Sequence, residues 1–241
     1  LTIYTRKKYN SHMDIIQQLR KETNKELPLT DRIYEELLRD ILTCKLARDS
    51  WLTETKVCTI YGASRTPVRE AFKRLEMDGL LEYIPKRGEY VRGFSYDELI
   101  DMLNIRADLE VRAASWSIER ITDDEMEQFT DIFRYMEFYT KKNDIHMMMY
   151  ANSAFHRHIY KTAHDRMLDK TLTSYFNYCK YSCPPNYFAP KFLDKTLEER
   201  RRVYSAYLKK DVTSGARAMK LHMSSTIKRA IANINPNIYE K

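Results

Sequence analysis

In SRTPVREAFKRL, residues 64–75, two stripes of side chains share one short segment. Arg65, Arg69 and Lys73 follow one another at intervals of four residues, so on a helix they line one face. A separate apolar stripe recurs at helical spacing and contains Val68, Ala71, Phe72 and Leu75. The pattern predicts a helix that packs through its apolar stripe and presents a row of cations on another face.

The sequence upstream predicts two further helices. Thr30 or Asp31 can cap the first, whose apolar face contains Ile33, Leu37, Leu38 and Ile41. A second, shorter helix is predicted over TETKVCTI, residues 53–60. Gly62 suits the left-handed backbone position that ends such a helix, since glycine adopts it without steric cost. A tight turn therefore separates the second helix from the third.

The third helix has its own start signal and is followed by a hairpin. Ser64 or Thr66 can cap it, and Pro67 falls in the first turn, where a missing N–H costs nothing. Downstream, the β-prone runs LLEYI and EYVRG flank a turn at residues 85–88. Three helices followed by a hairpin predict a winged helix-turn-helix.

A winged helix predicts DNA binding, because its third helix enters the major groove with its N-terminal residues at base edges. Arginine suits that position, since its planar fork can bind O6 and N7 of guanine together. Ser64 and Thr66 add short donors for a phosphate, and Lys86 and Arg87 lie at the predicted wing tip. A solvated basic face would explain the helix by itself, but not the additional hairpin with a basic tip.

The quoted helix and the hairpin also resemble a known family. The segments SRTPVREAFKRLExDGLL and IPKRGEYV are similar to the DNA-binding domain of GntR-type bacterial transcription regulators, over about residues 30–94. The resemblance implies operator contacts by Arg65 and Arg69, by the neighbouring hydroxyl residues, and by Gly88 with its basic neighbours. Two departures are visible. Arg48-Asp49 replaces a Pro-Gly pair, and Thr55 or Lys56 stands where some members carry an arginine.

The composition agrees with a DNA-binding protein. The 241 residues include 41 Lys and Arg against 34 Asp and Glu, which gives a formal net charge of +7. Only 5 Gly and 7 Pro argue against an all-β fold, and 4 Cys are too few for a disulfide framework, which indicates a cytoplasmic protein. No membrane span or signal peptide is indicated. Ser11-His12-Met13 is typical of a cloning remnant, so residues 1–28 are interpreted as an extension of partly vector origin.

The chain after residue 95 is predicted to be entirely helical, with helices near 95–121, 122–141, 143–163, 165–182, 193–210 and 211–234. We therefore predict a mostly α protein: a winged helix-turn-helix at 29–94 and an all-α antiparallel bundle of about six helices at 95–241. The second region resembles the FCD branch of the same family through NIRADLEVRAA, NSAFHRHIY, LEERRRVYSAYLKKD and GARAMKLHM. That resemblance implies a domain that binds a small effector and forms a homodimer.

Many FCD domains hold a divalent metal through an aspartate and three histidines, and the resemblance places four residues of this chain at those positions. They are Asn152, His156, Arg200 and His222. Asparagine is a weak neutral donor, and arginine cannot ligate a cation. A zinc or nickel ion on His156 and His222 is therefore one hypothesis, and no cofactor is the other.

The alternative is that Arg200 replaces the metal and binds a carboxylate effector through a charge-assisted pair. Arg106 matches a family arginine that contacts effector, and it would bind a second acidic group. The simpler interpretation is that Arg106 pairs with Glu110, and Arg200 with a neighbouring glutamate, as ordinary helix salt bridges.

Three functions remain at this point. The first is a homodimeric regulator whose affinity for a double-stranded DNA operator depends on an effector, with repression or activation left open. The second is a non-specific architectural DNA-binding protein, and the third is a metal-dependent enzyme on the helical region. No nucleophile–base pair, phosphate loop or HExxH motif supports the enzyme.

Overall fold

The computed structural model describes residues 27–182 and 192–239, so most of the N-terminal extension lies outside the described residues. The chain forms two compact units. The first contains residues 27–102, 178–182 and 234–239, and the second contains residues 103–177 and 192–233. Three segments that the sequence assigns to the second region, 95–102, 178–182 and 234–239, thus belong to the first unit. The helices predicted near 95–121 and 165–182 each have residues in both units, which periodicity alone does not reveal.

The first unit is a winged helix-turn-helix. Its helices are α1 (Leu29–Leu42), α2 (Glu54–Tyr61) and α3 (Arg65–Met77), and its strands are β1 (Trp51–Leu52), β2 (Leu81–Ile84) and β3 (Gly88–Val91). The sheet is antiparallel with the order β1-β3-β2. The helices and the hairpin match the sequence-based expectation, whereas β1 was not predicted, because two residues are too short to form a pattern.

Local signals explain most of the helix ends in this unit. Thr53 caps α2 by accepting a hydrogen bond from the amide of Lys56, and Gly62 ends it with φ of +58°. The expected caps of α1 were wrong. This helix begins at Leu29, directly after Pro28, and Asp31 lies inside its first turn.

The second unit consists of helices, as expected for the fold class. They are α4 (Tyr96–Arg120), which begins in the first unit, α5 (Asp123–Lys141), α6 (Ile145–Thr162), α7 (Arg166–Ser182), α8 (Leu193–Leu208) and α9 (Val212–Asn233). Thr122 and Glu125 form a capping box at the start of α5, and Asp144 caps α6. Helix α5 packs against α6 and α8, and α9 packs on α8. The bundle thereby brings polar side chains of four helices into its interior.

Candidate DNA interface and buried polar cluster

Helix α3 separates its two stripes as the sequence predicts. Its apolar residues, Val68, Ala71, Phe72 and Leu75, are buried, and α1 packs on this helix. Val68, Phe72 and Leu75 each contribute about 1.5–3 kcal/mol by leaving water, and Ala71 contributes less. Ser64, Arg65, Thr66, Arg69 and Lys73 are exposed on the other side. The helix is therefore fixed through one face while its cations remain open to solvent.

Two arginines of α3 have different partners. Arg69 donates from Nε to Glu54 Oε1 at 2.6 Å, and this hydrogen bond raises the pKa of the exposed guanidinium. Arg74 instead donates to Asp31 at 2.6 Å and lies 3.9 Å from the ring centre of Tyr34, so it joins α3 to α1. Of these two arginines, Arg69 lies on the exposed stripe, where Glu54 of α2 orients it.

The wing presents its cations at the turn between β2 and β3. Lys86 and Arg87 are exposed, and Lys86 adopts a positive φ of +69°. Gly88 follows with φ of +99°, and a Cβ atom there would lie 2.7 Å from the Leu52 carbonyl oxygen. Glycine is required because β1 approaches the hairpin so closely. Among the described residues, neither Lys86 nor Arg87 has a carboxylate within salt-bridge distance.

In the second unit, Glu110 on α4 is the acceptor for several buried groups. Arg106 donates to its Oε1 at 2.8 Å, Nδ1 of His156 lies 3.0 Å from its Oε2, and Tyr160 donates to it as well. Burial would raise the pKa of Glu110, but His156 and Arg106 lower it to about 2. The carboxylate therefore stays ionised in the interior, and the expected pairing of Arg106 with Glu110 is observed.

The other predicted residues of the bundle lie beside this network. Arg200 on α8 is 2% exposed and donates to the Thr196 carbonyl at 3.0 Å and to the side-chain oxygen of Asn152. The ring centres of His156 and His222 are 5.5 Å apart. Five residues contributed by four helices thus meet in one buried polar cluster: Arg106, Asn152, His156, Arg200 and His222.

Glu199 holds His222 in place. Its Oε2 lies 3.1 Å from Nδ1 of His222, and Arg229 donates to both carboxylate oxygens at 3.0 Å. Burial and nearby Arg200 lower the pKa of His222 to about 3, so the imidazole is neutral. Because a carboxylate can only accept, Nδ1 carries the proton, and Nε2 is an acceptor. Within the described residues, this buried Nε2 has no hydrogen-bond partner.

The cluster does not fit a divalent metal. Asn152 turns its oxygen towards Arg200, whose positive charge would repel a cation. In the described part of the chain, no group of three or more His, Cys, Asp or Glu side chains is arranged to hold an ion. The hypothesis of zinc or nickel at His156 and His222 therefore has no geometric support.

Several members of these sites were not predicted as site residues. Tyr160 lies one helical turn after His156, so spacing alone would have placed it on the same face. Glu54, Glu199 and Arg229 give no such signal, because each acts through a contact with another helix.

Of the helices in the described ranges, none has both the length and the apolar character of a membrane span.

A winged helix with exposed cations, followed by a helical unit with a buried polar cluster, is the architecture of a DNA-binding transcription regulator. Residues 29–91 match the gntR family of bacterial regulatory proteins, and residues 101–225 match the FCD domain. The chain belongs to the FCD branch of the GntR family.

Individual relatives agree with this assignment. The chain is 26% identical over 205 residues to the helix-turn-helix transcriptional repressor RspR of Escherichia coli, covering 84% of this chain and 89% of the relative. It is 24% identical over 206 residues to the regulator YdhC of Bacillus subtilis, covering 83% and 90%. The solved structure of E. coli McbR/YncC shares the fold with a TM-score of 0.67 at 21% identity, covering 86% of this chain and 98% of that one.

Proposed function

We propose that the protein is a homodimeric regulator whose affinity for a DNA operator is set by an organic acid bound at the buried polar cluster. The operator contacts are assigned to the exposed groups of α3 and the wing: Ser64, Arg65, Thr66, Arg69, Lys73, Lys86, Arg87 and Gly88. The effector contacts are assigned to Arg106, Asn152, His156, Arg200 and His222. Effector binding would change how the two winged helices of the dimer fit the spacing of the half-sites.

The observation that carries the effector site is Arg200. A buried guanidinium stands at the position where the family resemblance places a metal ligand, and, after burial, its positive charge adds to the lowering of the pKa of His156 and of His222. A carboxylate can accept two parallel hydrogen bonds from such a fork and would replace the neutral oxygen of Asn152. The charge of Arg200 thereby supplies the attraction that a metal supplies in other members.

The second polar group of the effector follows from His222. Its Nε2 is a buried acceptor, so it favours a ligand that carries a donor, such as a hydroxyl, near its carboxylate. Arg106 is already paired with the carboxylate of Glu110. It therefore attracts a second acidic group of the effector less strongly than Arg200 attracts the first. A small hydroxy acid has the chemistry that this arrangement favours.

The effector site can be tested by isothermal titration with a panel of organic acids. Each carboxylate is compared with its amide, and each hydroxy acid with the acid that lacks the hydroxyl. We expect binding of a hydroxy acid and loss of binding in Arg200→Gln. Arg202→Gln is the matched control, because Arg202 lies exposed on the same helix and pairs with Glu198. Unchanged binding in Arg200→Gln, or stoichiometric metal in the purified protein, would contradict the assignment.

The DNA interface is tested on the operator recovered by selection from random duplexes. Arg65→Ala and Arg69→Ala should each weaken specific binding by about 1–3 kcal/mol. Lys45→Ala is the control, because this exposed lysine is already paired with Asp40. Equal affinity of the wild type for operator and random DNA would instead indicate a non-specific architectural protein. Sedimentation of the protein–operator complex measures whether two protomers bind.

A further inference from the structure

Trp51 is a large aromatic side chain on the edge strand β1 that remains 39% exposed. Its ring meets Tyr90 edge to face, with ring centres 5.2 Å apart. The guanidinium carbon of Arg87, at the wing tip, lies 5.7 Å from the centre of the same ring. An exposed tryptophan of the sheet therefore lies next to a cation of the wing.

The sheet holds Trp51 in this position. Trp51 is the direct cross-strand partner of Tyr90, whose hydroxyl donates to Asp49. Gly88 lets β1 come close to the end of the hairpin, since any side chain there would collide with the Leu52 carbonyl. The tryptophan ring is thus brought to the wing tip by strand pairing and by a glycine.

An aromatic face holds a guanidinium in a different way from a carboxylate. Arg69 and Arg92 have carboxylate partners, Glu54 and Glu82, which partly offset their charge. Arg87 has an aromatic ring instead, and within the described residues no carboxylate lies within salt-bridge distance of it. Contact with a π face restricts a guanidinium but leaves its N–H donors and its full charge available.

We propose that Trp51 is a positioning residue for DNA binding, which holds Arg87 at the wing tip with its charge available for a phosphate of the duplex. This inference rests on the proposed DNA contact of Arg87. Trp51 acts through Arg87, so its removal should matter only while Arg87 is present.

The experiment measures the affinity for a fluorescent duplex of about 30 base pairs over a KCl series, by anisotropy. Arg87→Ala should lower the slope of log K against log salt by about 0.9, since one phosphate contact is lost. Trp51→Ala should weaken binding about two- to fivefold at low salt, the size of an exposed cation–π contact. The double variant should bind no more weakly than Arg87→Ala.

A second pair of variants separates positioning from folding. Trp51→Leu fills the space without a π face and should bind like Trp51→Ala, whereas Trp51→Phe keeps a ring and should bind more tightly than either. Wild-type affinity in both Trp51→Ala and Trp51→Leu, with weaker binding in Arg87→Ala, would overturn the role of Trp51 and leave the wing assignment intact. Additive losses in the double variant would overturn it as well. No effect of Arg87→Ala would overturn both.

Discussion

Replacing Glu89 by glutamine should stabilise the winged-helix unit above neutral pH but not in mild acid. Glu89 lies on β3 and is 7% exposed, and its Oε2 has no hydrogen-bond partner among the described residues. Burial, together with repulsion from Glu76 and Glu54, raises its pKa from 4.5 to about 7. The charged form is therefore costly in the folded protein, and glutamine removes that cost while keeping the shape of the side chain.

The sign follows from the raised pKa. In the unfolded chain Glu89 ionises near its ordinary pKa, whereas in the folded protein it keeps its proton up to about pH 7. The stability that depends on the protonation of Glu89 is thus greatest below the pKa of the unfolded chain, and it is lost as the pH rises towards 7. A rise of this size, at about 1.4 kcal/mol per pKa unit, sets a ceiling of about 3 kcal/mol. Solvent screening keeps the cost below this ceiling, so we expect about 1–2 kcal/mol.

The assay is urea unfolding at about pH 4 and about pH 8, monitored by Trp51 fluorescence. The chain contains 2 tryptophans, and Trp116→Phe as the background makes the signal specific for the first unit. Glu89→Gln should raise the free energy of unfolding only at the higher pH. Glu70→Gln, which removes an exposed carboxylate of α3, controls for net charge. Equal stabilisation at both pH values would refute the reasoning, since packing and not ionisation would then be the cause.

Three further substitutions test the helical unit through its thermal and urea unfolding, which circular dichroism monitors. Gly215→Ala should destabilise it by about 1–3 kcal/mol, because the added Cβ would lie 2.1 Å from Cδ1 of Ile118. Ile118→Val in the same chain should restore part of that loss. Glu110→Gln should cost about 3 kcal/mol, since Arg106 would lose its buried carboxylate. Thr122→Ala should cost about 1 kcal/mol by removing the cap of α5, and Thr122→Ser should not.

The sequence could predict the fold because its signals are local. Helical spacing and breaks such as Thr122 place each helix of the second unit within about two residues of its observed ends. The same spacing separates the buried stripe of α3 from its exposed cations. These features depend on backbone geometry over a few residues, which composition and spacing encode directly. The predicted caps of α1 were wrong because the helix begins at Leu29, so Thr30 and Asp31 lie inside its first turn, where Asp31 pairs with Arg74.

By itself, the sequence determined the order of the helices and the hairpin and the faces that are buried, and it suggested which side chains form the two sites. Only the tertiary structure decided which of those side chains meet. Arg200 donates to the side-chain oxygen of Asn152, 48 residues away. Trp51 meets Arg87 because a strand of two residues pairs with β3. Such contacts depend on how helices rotate against each other and how strands align, and both are set by the packing of the whole unit.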